Sequence, residues 1–373
     1  MSRSDKRRRH RERQKLAKKG RLMPENITLA NPVSDHFEAF IVGNATKCEA
    51  VVKQGSGRGK TVAICGAGPS LADDAHEYCP TADEVWGCNS AMTYLLDNGH
   101  RCTHGFTIDQ TAHMIDEWAS APDIEYLIAS SCHPFLVDYI QGEKGRRVTM
   151  FHNFVGIRKP DVVLCGCGHE LGTHDPDNGN ACIHCECQKY VPERMAYEDW
   201  MYSVLYDPTV RVGAGLNSVT RAIDLACFMG FDKIYVLGAD CALRVNAPCP
   251  QGFPHGSPEH MNWLRNDTIM HADGGNALAS AATPLTLGGE IDGRHWETKP
   301  DMIVSATWMV RMARQIPQLE LIGDTLPNAL MDKDDDFLDR LPNLIDKNGD
   351  LMRYEITTQS GYDGVALYKA ELL

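Results

Sequence analysis

The amino-acid sequence predicts an α/β protein, with a mostly parallel sheet flanked by helices and a small zinc-binding insertion. From Thr61 to Asp324, short apolar runs typical of buried strands alternate with helical patterns. This alternation is typical of a parallel sheet covered on both faces. It stops at Cys165, where cysteines and histidines crowd together, and resumes near Glu198. We therefore expect the insertion to interrupt the sheet domain.

The first predicted strand runs into a glycine turn and then a helix. Residues 62–64 are apolar, and Ser70 with Asp73 three residues later matches a capping box. Glycines let backbone amides approach an oxygen-rich ligand, and the helix dipole favours negative charge there. Similar turns join strands to helices in many folds without any ligand. The pattern predicts an anion-binding loop formed by Gly66, Gly68, Pro69 and Ser70.

A second glycine loop occupies residues 211–219 and leads into an amphipathic helix that ends at Gly230. Asn217 or Ser218 is available to cap this helix. Two amide-rich loops together can hold a polyphosphate. The second loop adds Gly213, Gly215, Asn217 and Ser218 to the predicted nucleotide ligands.

Polar residues follow three further predicted strands. In parallel sheets, ligands bind beyond the carboxyl ends of the strands, where Asn89, Asp109 and Asp240 fall. Two carboxylates can hold magnesium or sugar hydroxyls, so both acids are predicted catalytic residues, and Asn89 is a predicted nucleotide ligand. The alternative is that each acid only caps a neighbouring helix. The third glycine of the dinucleotide fingerprint is missing after Gly68, so we do not expect nicotinamide binding.

The insertion has the spacing of metal ligands. Two clusters, at residues 165–174 and 182–187, are separated by a polar, glycine-rich stretch, which is typical of a small zinc module. The segment has too little apolar sequence to fold alone, and four protein ligands would make the zinc structural. The ligands predicted first are Cys167, His174, Cys182 and Cys185, with Cys165, His169 and Cys187 in reserve. A catalytic or redox cluster is the alternative.

The composition is that of an ordinary globular protein. The 373 residues are 43% hydrophobic and 23% charged, without a long apolar run or an apolar leader segment. Five of the fourteen cysteines lie in the insertion, and most others stand singly in apolar runs. This pattern favours reduced thiols plus one metal site, so we expect a cytoplasmic protein without membrane contact.

Charge is divided unevenly along the chain. Residues 1–22 carry eleven Lys or Arg against Asp5 and Glu12, a net charge of +9. The remainder carries 26 basic and 48 acidic residues, a net charge of −22. We expect residues 1–25 to form a disordered arm that contacts nucleic acid or another polyanion. A solubilising tail, or a cap on the acidic body, explains the arm equally well.

The predicted domain boundaries follow these changes in composition. Residues 26–330 form the nucleotide-binding domain, which starts with a helical lead-in and contains the insertion at residues 160–195. Residues 331–373 form an extension that begins acidic and ends as a short hairpin.

A long aperiodic segment at residues 245–290 contains His255, His260 and His271. Loops of this length are more often functional than inert. A histidine can deprotonate an acceptor hydroxyl, and an arginine can steady a leaving phosphate. Arg294 and His295, just beyond the segment, are the predicted catalytic residues of this region, and hydrogen-bonded loop residues are the alternative.

Five motifs occur in an order that resembles one known family. They are Ile64-Cys-Gly-Ala-Gly-Pro-Ser-Leu71, Gly87-Cys-Asn-Ser-Ala91, Phe106-Thr-Ile-Asp109, Gly213-Ala-Gly-Leu-Asn-Ser-Val219 and Val236-Leu-Gly-Ala-Asp240. Over roughly residues 60–245 the set resembles the family of the archaeal 6-hydroxymethylpterin diphosphokinase and the motility accessory factors (Maf) linked to flagellin glycosylation. The resemblance implies a Rossmann-like domain related to the bacterial sialyltransferase fold.

The same resemblance implies either pyrophosphoryl transfer from ATP to a pterin alcohol or sugar transfer from an activated donor. It implies metal or substrate contacts for Asp109 and Asp240, and phosphate contacts for Gly66, Gly68, Pro69 and Ser70. The cysteine-rich insertion and the segment at residues 245–300 depart from the family pattern.

Taken together, the sequence predicts a magnesium-dependent, nucleotide-using transferase with a structural zinc. In the first version, a diphosphokinase moves pyrophosphate from ATP to a hydroxymethyl acceptor, with magnesium placed by Asp109 and Asp240. In the second, a glycosyltransferase uses a nucleotide sugar, and Arg294 or His295 attends the leaving group. In the third, the chain is a non-enzymatic module whose zinc insertion and basic arm bind nucleic acid or a macromolecular partner.

Overall fold

The computed structural model of the chain describes residues 26–29, 37–110, 114–118, 124–143, 145–153, 155, 162–165, 174–175, 181–182, 192–206, 211–213, 217–242, 247–248, 254–255, 287–291, 294–298, 300–340, 344–346, 351–357 and 367–372. The helices are α1 (Phe37–Ala45), α2 (Leu71–Tyr78), α3 (Ser90–Asp97), α4 (Met114–Glu117), α5 (Pro134–Asp138), α6 (Tyr197–Leu205), α7 (Ser218–Met229), α8 (Pro300–Gln315), α9 (Leu326–Ala329) and α10 (Asp335–Arg340).

The strands of the two larger sheets are β1 (Asn26–Leu29), β2 (Thr61–Cys65), β3 (Glu84–Cys88), β4 (His104–Thr107), β5 (Glu125–Ala129), β6 (Val148–Asn153), β11 (Arg211–Val212), β12 (Lys233–Leu237), β15 (Leu287–Ile291), β16 (Arg294–Thr298), β17 (Leu319–Leu321), β18 (Leu344–Asp346), β19 (Leu351–Thr357) and β20 (Leu367–Leu372). The strands of the short ladders are β7 (Val162–Cys165), β8 (His174–Asp175), β9 (Ala181–Cys182), β10 (Pro192–Met195), β13 (Ala247–Pro248) and β14 (Pro254–His255).

The main sheet is parallel throughout. Within the described residues its strand order is β11-β6-β5-β4-β3-β2-β12-β17. Each neighbouring pair runs parallel, and Ile64 of β2 lies opposite Trp86 on one side and Val236 on the other. Every strand of this sheet except β11, which lies in the predicted second glycine loop, was predicted from an apolar run, so the predicted α/β fold class is confirmed.

Both faces of the sheet are buried, because successive side chains of a strand point to opposite faces. In β2, Val62 and Ile64 belong to the large core cluster, which includes residues of α7 and α8. Ala63 and Cys65 belong to a smaller cluster against α2 and α3. Burial on both sides explains why the strand is a continuous apolar run.

Helix α7 links distant parts of the sheet. It contacts β2, β3, β4 and β12 as well as β11, the strand that precedes it. It ends as predicted at Gly230, which has φ of 75° and ψ of 38° and whose N–H donates to Ala226 and Cys227. The helix therefore carries its N-terminal end to the centre of the sheet.

The second sheet is antiparallel, with the order β1-β20-β19-β18-β15-β16. The predicted C-terminal hairpin is present as β19 and β20, where Tyr354 lies opposite Ala370. The lead-in contains the predicted helix, α1, together with β1. Residues 1–25 lie outside the described residues, and the predicted domain boundaries stay predictions.

The insertion begins and ends on one antiparallel ladder. Strands β7 and β10 pair so that Val162 lies opposite Met195 and Cys165 opposite Pro192. The parallel alternation stops here, as the sequence predicts. Elsewhere, no helix of the described chain is long and apolar enough to span a membrane.

Replacing Gly230 with Ala should lower the free energy of unfolding by about 1 kcal/mol, because an L-residue pays for the left-handed conformation. Gly142 is the matched control: it has no positive φ, and a Cβ there would meet no atom within 4 Å. Gly142→Ala should leave stability unchanged or slightly higher. Urea unfolding followed by circular dichroism measures both, and equal effects of the two substitutions would contradict the role of Gly230.

Candidate functional site

Three predicted site segments meet at the carboxyl edge of the main sheet. Strands β3, β2 and β12 are neighbours, and they are followed by Asn89, by residues 66–70 and by Asp240. We call residues 66–70 the glycine loop, and the three strand ends together the central edge. Parallel α/β sheets bind ligands at this kind of position.

Asp240 binds the end of the glycine loop directly. Its Oδ2 accepts hydrogen bonds from the Ser70 backbone N–H at 3.0 Å and from the Ser70 hydroxyl at 2.8 Å. Both residues are buried, with Asp240 only 3% exposed. The sequence had predicted that Ser70 caps α2 in a box with Asp73, and this is wrong. Ser70 has helical dihedral angles, unlike a capping residue, and makes no side-chain cap, while its hydroxyl donates to Asp240.

Close packing requires both glycines of the loop. A Cβ on Gly66 would lie 2.6 Å from the Gly238 carbonyl oxygen, and one on Gly68 would lie 2.2 Å from the Asp240 carboxylate. The loop amides are also largely used: the N–H groups of Gly66 and Gly68 donate to the carbonyls of Leu237 and Gly238. Ala67 is the loop residue whose N–H has no acceptor in the described chain. Phosphate contact by this loop, including the buried Pro69, stays a prediction.

The N-terminus of α7 lies against the same loop. Val219 Cγ2 would be 2.9 Å from a Cβ on Gly66. Asn217 caps the helix, accepting from the Thr220 N–H at 2.9 Å in a reciprocal capping box, so the predicted cap is found at Asn217. The N–H groups of Ser218 and Val219 donate to no acceptor within the described residues. Two free amides at a helix N-terminus are therefore adjacent to the glycine loop.

The rest of the second glycine loop is only partly described. The Gly213 N–H donates to the Asp224 carboxylate at 2.8 Å. Gly215 lies outside the described residues.

Asn89 has a strained backbone. Its φ of 50° and ψ of −125° lie outside the regions that non-glycine residues normally occupy. It stands between β3 and α3, a sharp strand–turn–helix connection that also requires Gly87, since a Cβ there would lie 2.4 Å from Met92 Cα. The Asn89 side-chain oxygen is buried without a hydrogen-bond partner among the described residues. Strain of about 1–3 kcal/mol and an unpaired buried polar atom are typical of ligand-binding positions.

Asp109 is not at the central edge. It follows β4, which β3 and β2 separate from β12. At a strand spacing of about 4.8 Å, the ends of β4 and β12 are about 14 Å apart. Burial and, to a smaller extent, the Asp109 charge raise the pKa of the Cys132 thiol, which follows β5, the neighbour of β4 on the side away from β12. The two predicted acids are therefore not brought together.

Arg221 was not predicted as a site residue. This side chain, 2% exposed, lies in α7 four residues after the cap and donates to the Val212 carbonyl at 3.0 Å. Burial lowers its pKa to about 10, against the opposing effect of the Asp224 and Glu198 charges. The side chain is therefore still a cation at neutral pH. Within a helical pattern, nothing in the sequence distinguishes it from a surface arginine.

A buried histidine at the end of β6 was also missed. His152 Nδ1 lies 3.0 Å from the Ser130 hydroxyl, and the His152 ring stacks on Tyr202 with centroids 4.3 Å apart. Burial lowers the pKa of His152 to about 3, so it is neutral at physiological pH. Its Nε2 and the side-chain oxygen of Asn153 are buried without partners in the described chain.

The opposite, amino edge of the sheet carries alternating charges. Lys60 pairs with Glu84 at 2.9 Å and Arg147 with Glu125 at 3.2 Å, and His104 lies between the two acids. These residues border a cavity of about 660 Å³. Because the charges pair with one another at strand starts, we interpret this edge as structural.

The predicted zinc ligands are mostly outside the described residues, including Cys167, His169, Cys185 and Cys187. The backbone does place His174 directly opposite Cys182 in the β8–β9 ladder. Among the described residues, no group of three or more His, Cys, Asp or Glu could hold a metal ion.

Arg294 and His295 belong to the second sheet. They lie in β16, opposite Ile291 and Glu290 of β15. Their catalytic role stays a prediction. His255 lies in β14, and His260 and His271 fall outside the described residues.

No known protein family and no curated protein matches the chain. Among solved structures, the chain is similar to the Maf glycosyltransferase of Magnetospirillum magneticum AMB-1, with 13% sequence identity and a TM-score of 0.44. The alignment covers 80% of this chain and 40% of the other, so this chain spans less than half of that protein. A likeness at this level bears on neither activity nor substrate.

The Ser70–Asp240 contact predicts a difference between two substitutions of Asp240. Asp240→Ala leaves the Ser70 N–H and hydroxyl buried without an acceptor, which should cost about 2–4 kcal/mol of unfolding free energy. Asp240→Asn keeps one acceptor oxygen and should cost less than about 1 kcal/mol.

Urea unfolding of the two variants measures this difference. Asp232→Ala is the control, because this exposed acid at the other end of β12 only accepts from the Gly59 N–H at 3.2 Å. If Asp240→Ala were as stable as this control, Asp240 would not hold the loop.

Proposed function

We propose that the chain is a glycosyltransferase that takes a sugar from a nucleotide-sugar donor bound at the central edge. The observation that carries the proposal is the strained Asn89, whose side-chain oxygen is buried without a partner beside the glycine loop. A strained turn is kept only where the surrounding structure enforces it, and such turns cluster at ligand sites. The Asn89 amide offers both a donor and an acceptor to a nucleotide or a sugar hydroxyl.

The donor phosphates fit the N-terminus of α7. The amides of Ser218 and Val219 are free in the described chain, and the helix dipole favours an anion at this end. Arg221, one turn into the helix, is also a buried cation, but its guanidinium binds the Val212 carbonyl near the Asp224 and Glu198 charges. The glycine loop packs against Val219, so phosphates held by α7 would lie next to Asn89 and to the remaining free amide of the loop, that of Ala67.

Magnesium does not fit the predicted acid pair. Transfer of pyrophosphate from ATP relies on metal ions that bridge the phosphates and neutralise their charge. Asp240 has one carboxylate oxygen engaged by both Ser70 donors, and Asp109 follows a strand about 14 Å away. The arrangement thus favours phosphates held by the amides at the α7 N-terminus. Pyrophosphoryl transfer from ATP is the second candidate function, supported by the motif order, and needs metal ligands beyond this pair.

The acceptor side is proposed from the sequence. Residues 245–290 and the pair Arg294 and His295 are the candidates to bind the acceptor and attend the leaving group. In this role either His295 would take the proton of the acceptor hydroxyl or Arg294 would contact the departing phosphate, since neighbouring residues of a strand face opposite sides of the sheet.

The Asn89→Gly substitution tests the donor site. Glycine adopts the Asn89 dihedral angles freely, so stability should rise by about 1 kcal/mol. Loss of the amide should weaken donor binding about tenfold or more, since a buried hydrogen bond is lost. Thermal unfolding measures the first effect. Calorimetric titration with UDP-, GDP- and CMP-activated sugars, and with ATP with and without magnesium, measures the second.

Asn98→Gly is the matched control. Asn98 is an exposed asparagine at the other end of α3, with a φ of −96°, so this change should neither stabilise the protein nor alter donor binding. Failure of every donor to bind wild type would refute the proposal. Binding of ATP alone, with a magnesium requirement lost in Asp240→Asn, would replace sugar transfer by pyrophosphoryl transfer.

We also propose that the insertion holds one structural zinc. The observation beyond the spacing is the ladder that sets His174 opposite Cys182. Opposed residues in an antiparallel pair have Cα atoms about 4.5–5.5 Å apart, close enough for both side chains to reach one ion. The two ligands come from the two separate clusters of the predicted site, which a single ion would join.

The purified protein should carry about one zinc per chain, and a chelator should make residues 165–187 sensitive to protease, because such modules unfold without metal. Cys182→Ser should lose the zinc, whereas Cys48→Ser, a described cysteine outside the insertion, should keep it. Elemental analysis gives the stoichiometry. Absence of zinc, or disulfides between the insertion cysteines, would contradict the proposal.

A further inference from the structure

Two thiols meet at the two ends of the segment formed by the glycine loop and α2. Cys65 is the last residue of β2, directly before the loop, and Cys79 directly follows α2. Their Sγ atoms are 3.9 Å apart, and neither residue is exposed. Both are free thiols, and the contact lies in the smaller core cluster. The function proposed above uses neither of them.

The surroundings distinguish the two sulfurs. The hydrogen bond from Cys65 and the nearby Arg101 charge lower the pKa of Cys79, although burial opposes them. Arg101 is fixed in place by hydrogen bonds to the Ala82 and Asp83 carbonyls, the second at 2.7 Å. In contrast, the hydrogen bond with Cys79 and burial raise the pKa of Cys65, and burial raises that of the neighbouring Cys102 to about 12. Cys79 is therefore the more reactive thiol, since the thiolate is the nucleophile.

We propose that Cys65 and Cys79 are a redox-modification site, which a small hydroperoxide converts to an intramolecular disulfide. In the first step the Cys79 sulfur attacks hydrogen peroxide, the O–O bond breaks, and a sulfenic acid and one water form. In the second step the Cys65 sulfur attacks the Cys79 sulfur, the S–S bond forms, the S–O bond breaks and a second water leaves. Two thiols and one peroxide thus yield one disulfide and two waters. A small oxidant suits the site because both sulfurs are buried.

The disulfide would act on the glycine loop. It closes a ring of 15 residues that contains the loop and the whole of α2. An S–S bond is about 2.05 Å long, so the sulfurs must approach by about 1.9 Å. The start of α2 is held by Asp240, so this movement strains α2 and pulls on the Ser70–Asp240 contact at the end of the loop. Formation of the disulfide does not depend on the proposed function. The expected effect of the disulfide on donor affinity does rest on the proposed function.

Peptide mapping of the full chain tests the site. The protein is treated with hydrogen peroxide, the remaining thiols are alkylated under denaturing conditions, and peptides are separated without reduction. We expect one cross-link, between Cys65 and Cys79, that dithiothreitol reverses. We expect the Cys65→Ser variant to accumulate a sulfenic acid on Cys79, which dimedone traps. The Cys102→Ala variant should form the cross-link as the wild type does.

The peptide map of the wild-type protein shows whether Cys65 and Cys79 form the disulfide even if a variant fails to fold. Oxidation of Cys79 without a cross-link, or a cross-link to Cys88 or Cys102 instead, would overturn the assignment. Donor affinity is then measured on the oxidised and reduced protein, and we expect at least a threefold change. A cross-linked protein with unchanged donor affinity would overturn the link to the loop, while a protein that binds no donor still gives the cross-link result.

Discussion

A buried carboxylate holds the centre of this molecule together. Asp240 accepts two hydrogen bonds from Ser70, and its own backbone carbonyl accepts from the Leu326 N–H at 3.0 Å. The loops that follow β2, β12 and β17 therefore meet at one residue. An unpaired buried carboxylate would cost several kcal/mol, and the paired donors offset much of that cost. Because α2 starts at Ser70, this contact also sets where the helix and the glycine loop lie relative to the sheet.

Helix α7 supplies the other constraint. Its Val219 packs on Gly66, while its Arg221 is bound to the carbonyl of Val212 in the edge strand. A single helix thus connects the glycine loop to the end of β11. At Gly66 the space left for a side chain is set by Val219 and by Gly238, so glycine is needed there whether or not a ligand binds. The glycine loop therefore has a structural role that does not depend on a ligand, and phosphate binding by the loop is a separate question.

The fold was predictable because buried strands of parallel sheets are short apolar runs, and these are visible in a single sequence. The absence of a side-chain cap at Ser70 was not predictable. Its Ser-x-x-Asp pattern is local, whereas the partner that takes the hydroxyl, Asp240, is 170 residues away. The same limit applied to Asp109, since the order of strands decides which strand ends are neighbours. Asn89 was predicted as a site residue from its position, but its dihedral angles cannot be inferred from composition. His152 was missed because the sequence does not show whether a histidine within an apolar run has hydrogen-bond partners for both ring nitrogens.

The charge distribution constrains how such a protein can bind a phosphate. Outside residues 1–22 the chain has a net charge of −22, so an anionic donor approaches a repelling body. Attraction must come from fixed local charges near the site. The N-terminus of α7, where the Ser218 and Val219 amides lie beside the glycine loop, carries such a partial positive charge. Because this charge acts at short range, it should contribute at ionic strengths that screen the long-range repulsion. Donor binding that is dominated by these groups should therefore strengthen or stay unchanged as salt is added. A site that relies on exposed lysines and arginines would show the opposite behaviour, because salt screens its attraction for the donor.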